Sequence, residues 1–523
     1  MHNRHLLKSL SKTGLAFMIL ALVGDARPVG AESAPPGRVR VIYNLDCSEF
    51  FIGTFGPIVP ETIDKFVDEH AATGITDLFI NVNAQRTNYR SDVWEAFWDG
   101  YDPTLPDEQP FFEGLDPKRR FETAWFKATL ALHKMGCDYP QRMIDRVRHN
   151  KVKPWISLRM NDGHNPHSPN HPGHNSLWKS HPEWRLAYGL DYEQKEVREY
   201  YLKLVREVCS RYDIDGLELD FLRFWLYFRP GREHEGAKLM TAFVEEVREA
   251  TREAAKRLGH PVELAVRVPT RPWIARRHGL DAIAWAKAGL VDLIVATPWF
   301  ASIDGDAPME TWKGLLAGTD VTLALSLDTG IDSGASGRQP MTHEEMRGVY
   351  LSARYRGADA IYFFNQFLSP YQSWPREDHD RLLRDAGSYP ALRSGPRRHS
   401  VTLISPWAAG EPGNARVLPY TGTSGVFRIH IGPKPLPGQG ARVELVVPDH
   451  EGPLDVRLNG APCPWSGLAE PDHIKASRTG RAKGERQRHI YKVPADALSD
   501  GYNLIEVKSE KDVKITWVEI SVQ

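Results

Sequence analysis

A (β/α)8 barrel followed by a C-terminal all-β sandwich is the fold class this sequence predicts, and three observations carry the prediction. Between residues 38 and 387 short apolar runs alternate with helix-patterned stretches, eight times over, the count a closed parallel barrel requires. One of these runs, residues 212–224, reads as a short buried strand with Leu217 and Leu219 on one face and Glu218 and Asp220 on the other, followed by Arg223, the pattern of a barrel strand at an active-site mouth. No glycine-rich phosphate turn follows the first run, which argues against an open doubly wound sheet.

Taken in order, residues 39–43 form the first predicted strand, and residues 60–73 a helix with Ile63, Phe66, Val67 and His70 on one face, stopped by Gly74. Strand two spans 76–83. The aromatic, Pro- and Gly-rich stretch 84–136 reads as an inserted substrate loop. A helix near 140–149 leads to strand three at 153–159, and a second polar insertion covers 160–188. Val197, Tyr201, Leu204, Val205 and Val208 mark the apolar face of the helix before strand four. A long helix over 237–258 precedes strands five (262–268), six (291–297) and seven (321–328). Thr342 with Glu345 has the pattern of a capping box opening the next helix, and strand eight follows at 358–364. Residues 388–400 have linker composition. From 401 to 523 short alternating runs, with Asn459-Gly460 as a hairpin turn, predict a sandwich, and 469–487 reads as a loop.

At the C-terminal strand ends the barrel brings together Asp46, Asn81, Asn83, Arg159, Asn161, Asp162, Glu218, Asp220, Arg223, Arg267, Thr297, Trp299, Asp328, Asn365 and Gln366, edged by Trp155, Phe300 and Tyr362. Amides, carboxylates and guanidinium groups beside aromatic faces suit a carbohydrate, whose hydroxyls need hydrogen bonds and whose C–H faces stack. Glycosidic hydrolysis needs two carboxyl groups flanking the bond. Asp220 and Asp328, on strands four and seven, face each other across the mouth. Glu218 lies one inward step deeper, where burial raises its pKa. Asp220 is therefore the expected nucleophile or base, with Glu218 or Asp328 as proton donor. Four histidines, His164, His167, His171 and His174, crowd the loop after strand three. A metal site there is one reading, and hydrogen bonds from His164 to a sugar are the other.

The run 190–201, Leu-Asp-Tyr-Glu-Gln-Lys-Glu-Val-Arg-Glu-Tyr-Tyr, continues into Arg-Tyr-Asp-Ile-Asp-Gly-Leu-Glu-Leu-Asp-Phe-Leu-Arg at 211–223. These two runs resemble the glycosyl-hydrolase-like family 10 proteins, and Arg267-Val268-Pro269 and Gly289-Leu290-Val291-Asp292 fit the same pattern. The resemblance extends loosely over 38–387. It implies a (β/α)8 fold and a carbohydrate-active hydrolase, with Asp220 as the strand-four acid and Arg223 beside it. Where many relatives have further acids directly after that Asp, this chain has Phe221-Leu222.

The N-terminus has Arg4, Lys8 and Lys12 before an apolar run at 15–23, with Val29-Gly30-Ala31 as a cleavage site. Residues 1–31 thus read as a signal peptide and the mature protein as secreted or periplasmic. A formal net charge of −1 gives no reason to expect nucleic acid as a partner, and no second apolar segment predicts a membrane span. Cys47, Cys137, Cys209 and Cys463 have no CxxC spacing and read as buried free thiols. No cofactor is expected. The sequence therefore predicts an exported glycoside hydrolase acting on a poly- or oligosaccharide. A non-catalytic glycan-binding protein and a metal-dependent hydrolase using the His164–His174 loop stand as alternatives.

Overall fold

A computed structural model describes residues 39–53, 57–222, 224–298, 302–335, 338–366, 375–403, 417–469 and 487–523. The expected signal peptide, Arg223, Trp299, Phe300 and most of the predicted 469–487 loop lie outside these residues.

Eight parallel strands close into a barrel: β1 Arg40–Leu45, β2 Asp77–Asn81, β3 Lys153–Arg159, β4 Gly216–Asp220, β5 Glu263–Pro269, β6 Leu293–Thr297, β7 Thr322–Leu327 and β8 Ala360–Phe364. Each pairs with its sequence neighbour, and β1 closes on β8 through the register Ile42↔Tyr362 and Asn44↔Phe364. Side chains pointing inward make a dry core of Ile42, Phe79, Trp155, Ala265, Leu293, Val295, Ala324 and Ala360, with Tyr362 and Phe364 above them. Helices pack their apolar stripes on the outside of the barrel; Val197, Leu204, Val205 and Val208 of the helix Lys195–Arg211 are fully buried there.

Trp155, expected at the pocket edge, instead lies inside the barrel. It stacks on Phe79 with ring centroids 4.5 Å apart and donates from Nε1 to Asp77 Oδ1 at 3.0 Å. Its register partner is Gly216, where an added Cβ would run into the indole. The glycine is needed for space. Gly216→Ala is therefore expected to cost about 1–3 kcal/mol of stability through overpacking, read as a lower denaturant midpoint at an unchanged m-value.

The stretch 84–136 is more than a loop. It holds two 3-10 turns, a helix Thr123–Lys134 and a small core of Phe97, Phe112, Leu115 and Phe126. Its aromatic content serves that core, and it buttresses the loop after β3 through Gln85, which donates to the Asp162 carbonyl at 2.8 Å, and Arg86, which donates to the His174 carbonyl at 3.0 Å.

Beyond the barrel, the described residues form two antiparallel sheets, of five and four strands, in the C-terminal β domain, with Phe427, Leu445, Leu458, Tyr491, Ile505 and Ile520 in the core between them. Residues 388–400, of linker composition, are ordered structure. Ser388 caps a helix Tyr389–Ser394, and β9, Arg397–Ser400, pairs antiparallel with the last strand, Trp517–Val522. The arginines that suggest a linker are tied down: Arg397 donates to the backbone carbonyls of Arg393 and Pro433, and Arg398 forms a two-armed pair with Glu519 at 2.8 Å. The helix His343–Tyr355, opened by the Thr342/Glu345 capping box, approaches β9 so closely that a Cβ at Gly348 would strike the Arg398 carbonyl. Cys137, Cys209 and Cys463 are free. Among the described residues, no helix is long and apolar enough to cross a membrane.

Candidate active site

The upper half of the barrel interior changes from apolar to polar, because each strand carries a polar residue at its last inward positions. In the lower of two polar layers, Glu218 on β4 is fully buried. Its carboxylate accepts hydrogen bonds from Asn44 Nδ2 at 3.0 Å, Ser157 Oγ at 2.6 Å and the Tyr362 hydroxyl at 2.8 and 3.0 Å. Burial, and then the negative charge of Asp220, push its pKa up to about 7, against the pull of Arg267 and of the hydrogen bonds from Ser157 and Tyr362. The Tyr362 phenol is itself pushed well up, mainly by burial, and stays a donor.

One step higher lies Asp220. Its Oδ2 accepts from Arg267 at 3.0 Å and its Oδ1 from the Leu222 N–H at 3.0 Å. Arg267 on β5 is held by register beside Asp220, donates to Thr297 Oγ1 at 3.2 Å and lays its guanidinium 3.7 Å from the Phe364 ring centroid. Burial works to neutralise this arginine, but Asp220, Tyr362, Glu218 and Asp328 outweigh it and keep the group charged. Asp328, just past β7, accepts from the Thr329 N–H at 2.6 Å and from Asn365 Nδ2 at 3.2 Å. Asn365 sits at φ 55, a left-handed conformation that Asn tolerates where the chain leaves β8.

On the other arc of the mouth, Arg159 bridges Asp46 at 2.6 Å and Asp162 at 3.0 Å. Asp162 also takes the His164 N–H at 3.0 Å and His164 Nδ1 at 2.7 Å. Burial alone would raise the Asp162 pKa; His164 and Arg159 reverse that and hold it far below the usual carboxylate range.

Several sequence-predicted contacts have other work. Asn83 accepts the Arg159 N–H and donates to the Arg159 and Ala84 carbonyls, and Asn161 accepts the Leu190 N–H and donates to the Leu190 and Leu226 carbonyls. Their amide groups are committed to neighbouring backbone, which makes them loop staples rather than ligand contacts. Glu218, expected among the possible proton donors, is fully buried one inward step beneath Asp220. Three of the four histidines are also engaged. His174 Nε2 meets the His164 carbonyl at 2.9 Å, His171 Nδ1 accepts the Gly173 N–H at 3.1 Å, and His164 Nδ1 is on Asp162, so the rings serve the loop's own hydrogen bonding. Among the described residues no cluster of His, Cys, Asp or Glu could hold a metal ion.

Four polar groups lack such commitments. Among the described residues, Asn81 Oδ1, Ser326 Oγ, Asn365 Oδ1 and both amide atoms of Gln366 are buried and meet no hydrogen-bond partner, although Asn81 does donate to the Ser157 carbonyl at 3.1 Å. Groups of this kind are expected to meet water or a hydroxylated ligand. Asn44 and Ser157 had no place in the sequence-derived ring. The signal was there: the two-residue step that links Glu218 to Asp220 also links Asn44 to Asp46 and Ser157 to Arg159.

Fold and site together define a (β/α)8-barrel protein with a ring of nearly buried carboxylates and arginines at its C-terminal mouth. No protein-family model matches the chain, and no curated protein matches it in sequence. Among solved structures it is similar to alpha-L-fucosidase isoenzyme 2 from Paenibacillus thiaminolyticus, at 13% identity and a TM-score of 0.39, over 68% of this chain and 49% of that one. It is also similar to the PgaB (BpsB) glycoside hydrolase domain from Bordetella bronchiseptica, at 12% identity and a TM-score of 0.38, over 68% of this chain and 99% of that one. A third is a putative alpha-L-fucosidase from Bacteroides thetaiotaomicron, at 12% identity and a TM-score of 0.35, over 92% of this chain and 94% of that one. The chain thus spans about half the length of the first of these.

Proposed function

We propose that this chain is an exported glycoside hydrolase of the glycosyl-hydrolase-like family 10 type, cleaving a glycosidic bond in a poly- or oligosaccharide. The reading is supported by the placement of Asp220 at the end of β4 and of Asp328 just past β7, with Arg267 on β5 between their strands and paired to Asp220. Arg267 donates to Asp220 at 3.0 Å, and a guanidinium partner favours the carboxylate form that a nucleophile or a base for water requires. Asp328 is the proton donor in this reading: it passes its proton to the glycosidic oxygen as the bond to the sugar carbon breaks. Asp46, Arg159, His164 and Asn365 line the mouth as hydroxyl contacts, and the unpartnered groups of Asn81, Ser326 and Gln366 take up further polar atoms. Export is inferred from the basic and then apolar N-terminus.

The pairing of Asp220 with Arg267 suits one other reading, a glycan-binding protein without turnover, since a ring of carboxylates, guanidinium groups and amides binds sugars whether or not it cleaves them. The test is reducing-end release from a broad polysaccharide panel by wild type, Asp220→Asn and Asp328→Asn. Release by the wild type that is lost in both variants supports hydrolysis by this pair. Release that survives in Asp220→Asn removes the strand-four acid from the reaction, and sugar binding without release favours the second reading.

A further inference from the structure

Beside the carboxylate ring, two aromatic side chains are held out of the core. Tyr188 is 44% exposed, at the tip of a tight turn closed by the Leu186 N–H on the Gly189 carbonyl at 2.9 Å. Its ring stacks on Phe224, centroids 5.5 Å apart and planes 21° from parallel. His164 meets the same Phe224 edge-on at 4.9 Å. His164 Nδ1 is bound to Asp162, which leaves Nε2 as the polar edge of the group.

The turn is braced from beneath. Asn161 grips both Leu190 backbone groups and the Leu226 carbonyl, so one side chain fixes the segments that present Tyr188 and Phe224. Gly189 at φ +100 lies against the Asn161 amide, and Gly163 lies against the Tyr188 backbone, each too close for a Cβ. The part of the Tyr188 ring left in water gains nothing from burial. Fixing it in advance removes an entropic cost of binding.

We infer that Tyr188, Phe224 and His164 form a sugar-stacking subsite for a pyranose ring several atoms outside the bond held between Asp220 and Asp328, which makes the ligand an extended glycan rather than a single sugar. The inference rests on the carbohydrate reading of the mouth. An aromatic face matches the C–H face of a pyranose, and the His164 imidazole and the Asp162–Arg159–Asp46 chain provide polar groups at its rim. Phe224 is four residues beyond Asp220, so the subsite lies within about 14 Å of it along an extended chain.

The test uses the full chain carrying Asp220→Asn, so that bound glycan is not consumed, in affinity electrophoresis through gels containing laminarin, xyloglucan, arabinoxylan, galactomannan or chitosan. We expect retardation by at least one of these. Adding Tyr188→Ala should weaken it about tenfold, as truncation of an aromatic anchor does, and Tyr188→Phe should restore it, with the melting temperature unchanged in both. Equal retardation with and without Tyr188→Ala overturns the subsite, as does retardation by none of the probes. Retardation that depends on Tyr188, in a protein whose wild type releases no reducing ends, keeps the subsite and sets aside hydrolysis.

Discussion

Asp220→Asn is expected to lower kcat on the best polysaccharide substrate by at least about a thousandfold while leaving the fold in place. The substitution keeps the volume of the side chain and an oxygen for the Arg267 N–H that now meets Oδ2 at 3.0 Å. It removes the charge that the reaction needs. It also removes the negative charge that helps to raise the Glu218 pKa, so Glu218 should ionise at lower pH and supply Arg267 with a counter-charge. Asp220→Ala has no replacement acceptor and should cost stability as well, by about 3–5 kcal/mol if Arg267 is left without its partner. Measuring kcat and the melting temperature for both variants separates the two effects. Comparable activity in Asp220→Asn and wild type would sink the assignment, and equal stability of the Asn and Ala variants would show that the ion pair matters little to the fold.

The barrel was largely legible because its strands are short, apolar and bounded by turn residues. The strand at 153–159 is found residue for residue, six others lie within about two residues of their expected ends, and the fourth, Gly216–Asp220, is the middle of the longer stretch 212–224. Alternation then located Glu218 and Asp220 on one face of β4. Where alternation breaks, the reading failed. The strand Trp465–Ala469 shows no clean alternation in the sequence because Gly467, at φ +108, makes a bulge that shifts register between Trp465 and Gly467 and spoils the two-residue pattern. The long strand Tyr502–Ile515 has no continuous apolar alternation in the sequence, because its middle, Lys508 to Asp512, is charged and largely solvent-facing.

Site roles were less legible than site positions, for a physical reason. Whether an amide is free for a ligand depends on partners remote in sequence. Asn161 is committed to Leu190 and Leu226, 29 and 65 residues away, and nothing local announces that. The Tyr188 platform was hidden in the same way. A lone tyrosine before a glycine in a polar insertion is unremarkable until the turn is seen to be braced.

Replacing Glu218 should change how stability depends on pH, in a direction that its burial fixes. The carboxyl has an ordinary value of 4.5 and a folded-state value of about 7. The folded protein therefore holds a proton that the unfolded chain has given up between these two values, and stability must fall as pH rises through that window. Below the lower value both states are protonated and Glu218 contributes no pH dependence. Above the upper value both are ionised and the full cost of the buried charge is present, on the order of 3 kcal/mol. Glu218→Gln keeps the shape and can donate to the hydroxyl of Ser157 or Tyr362, as the protonated acid does, but it does not titrate. Its stability relative to wild type should therefore rise between pH 4.5 and 7 and level off above, read from denaturant midpoints across that range. A difference that stays flat with pH would mean that Glu218 is ionised throughout, with Arg267 outweighing both burial and Asp220. If Glu218 acts only by positioning, Glu218→Gln should retain substrate binding and lose part of kcat, with the pH profile on its alkaline side moved. If it were itself the proton donor, turnover would vanish as completely as in Asp220→Asn.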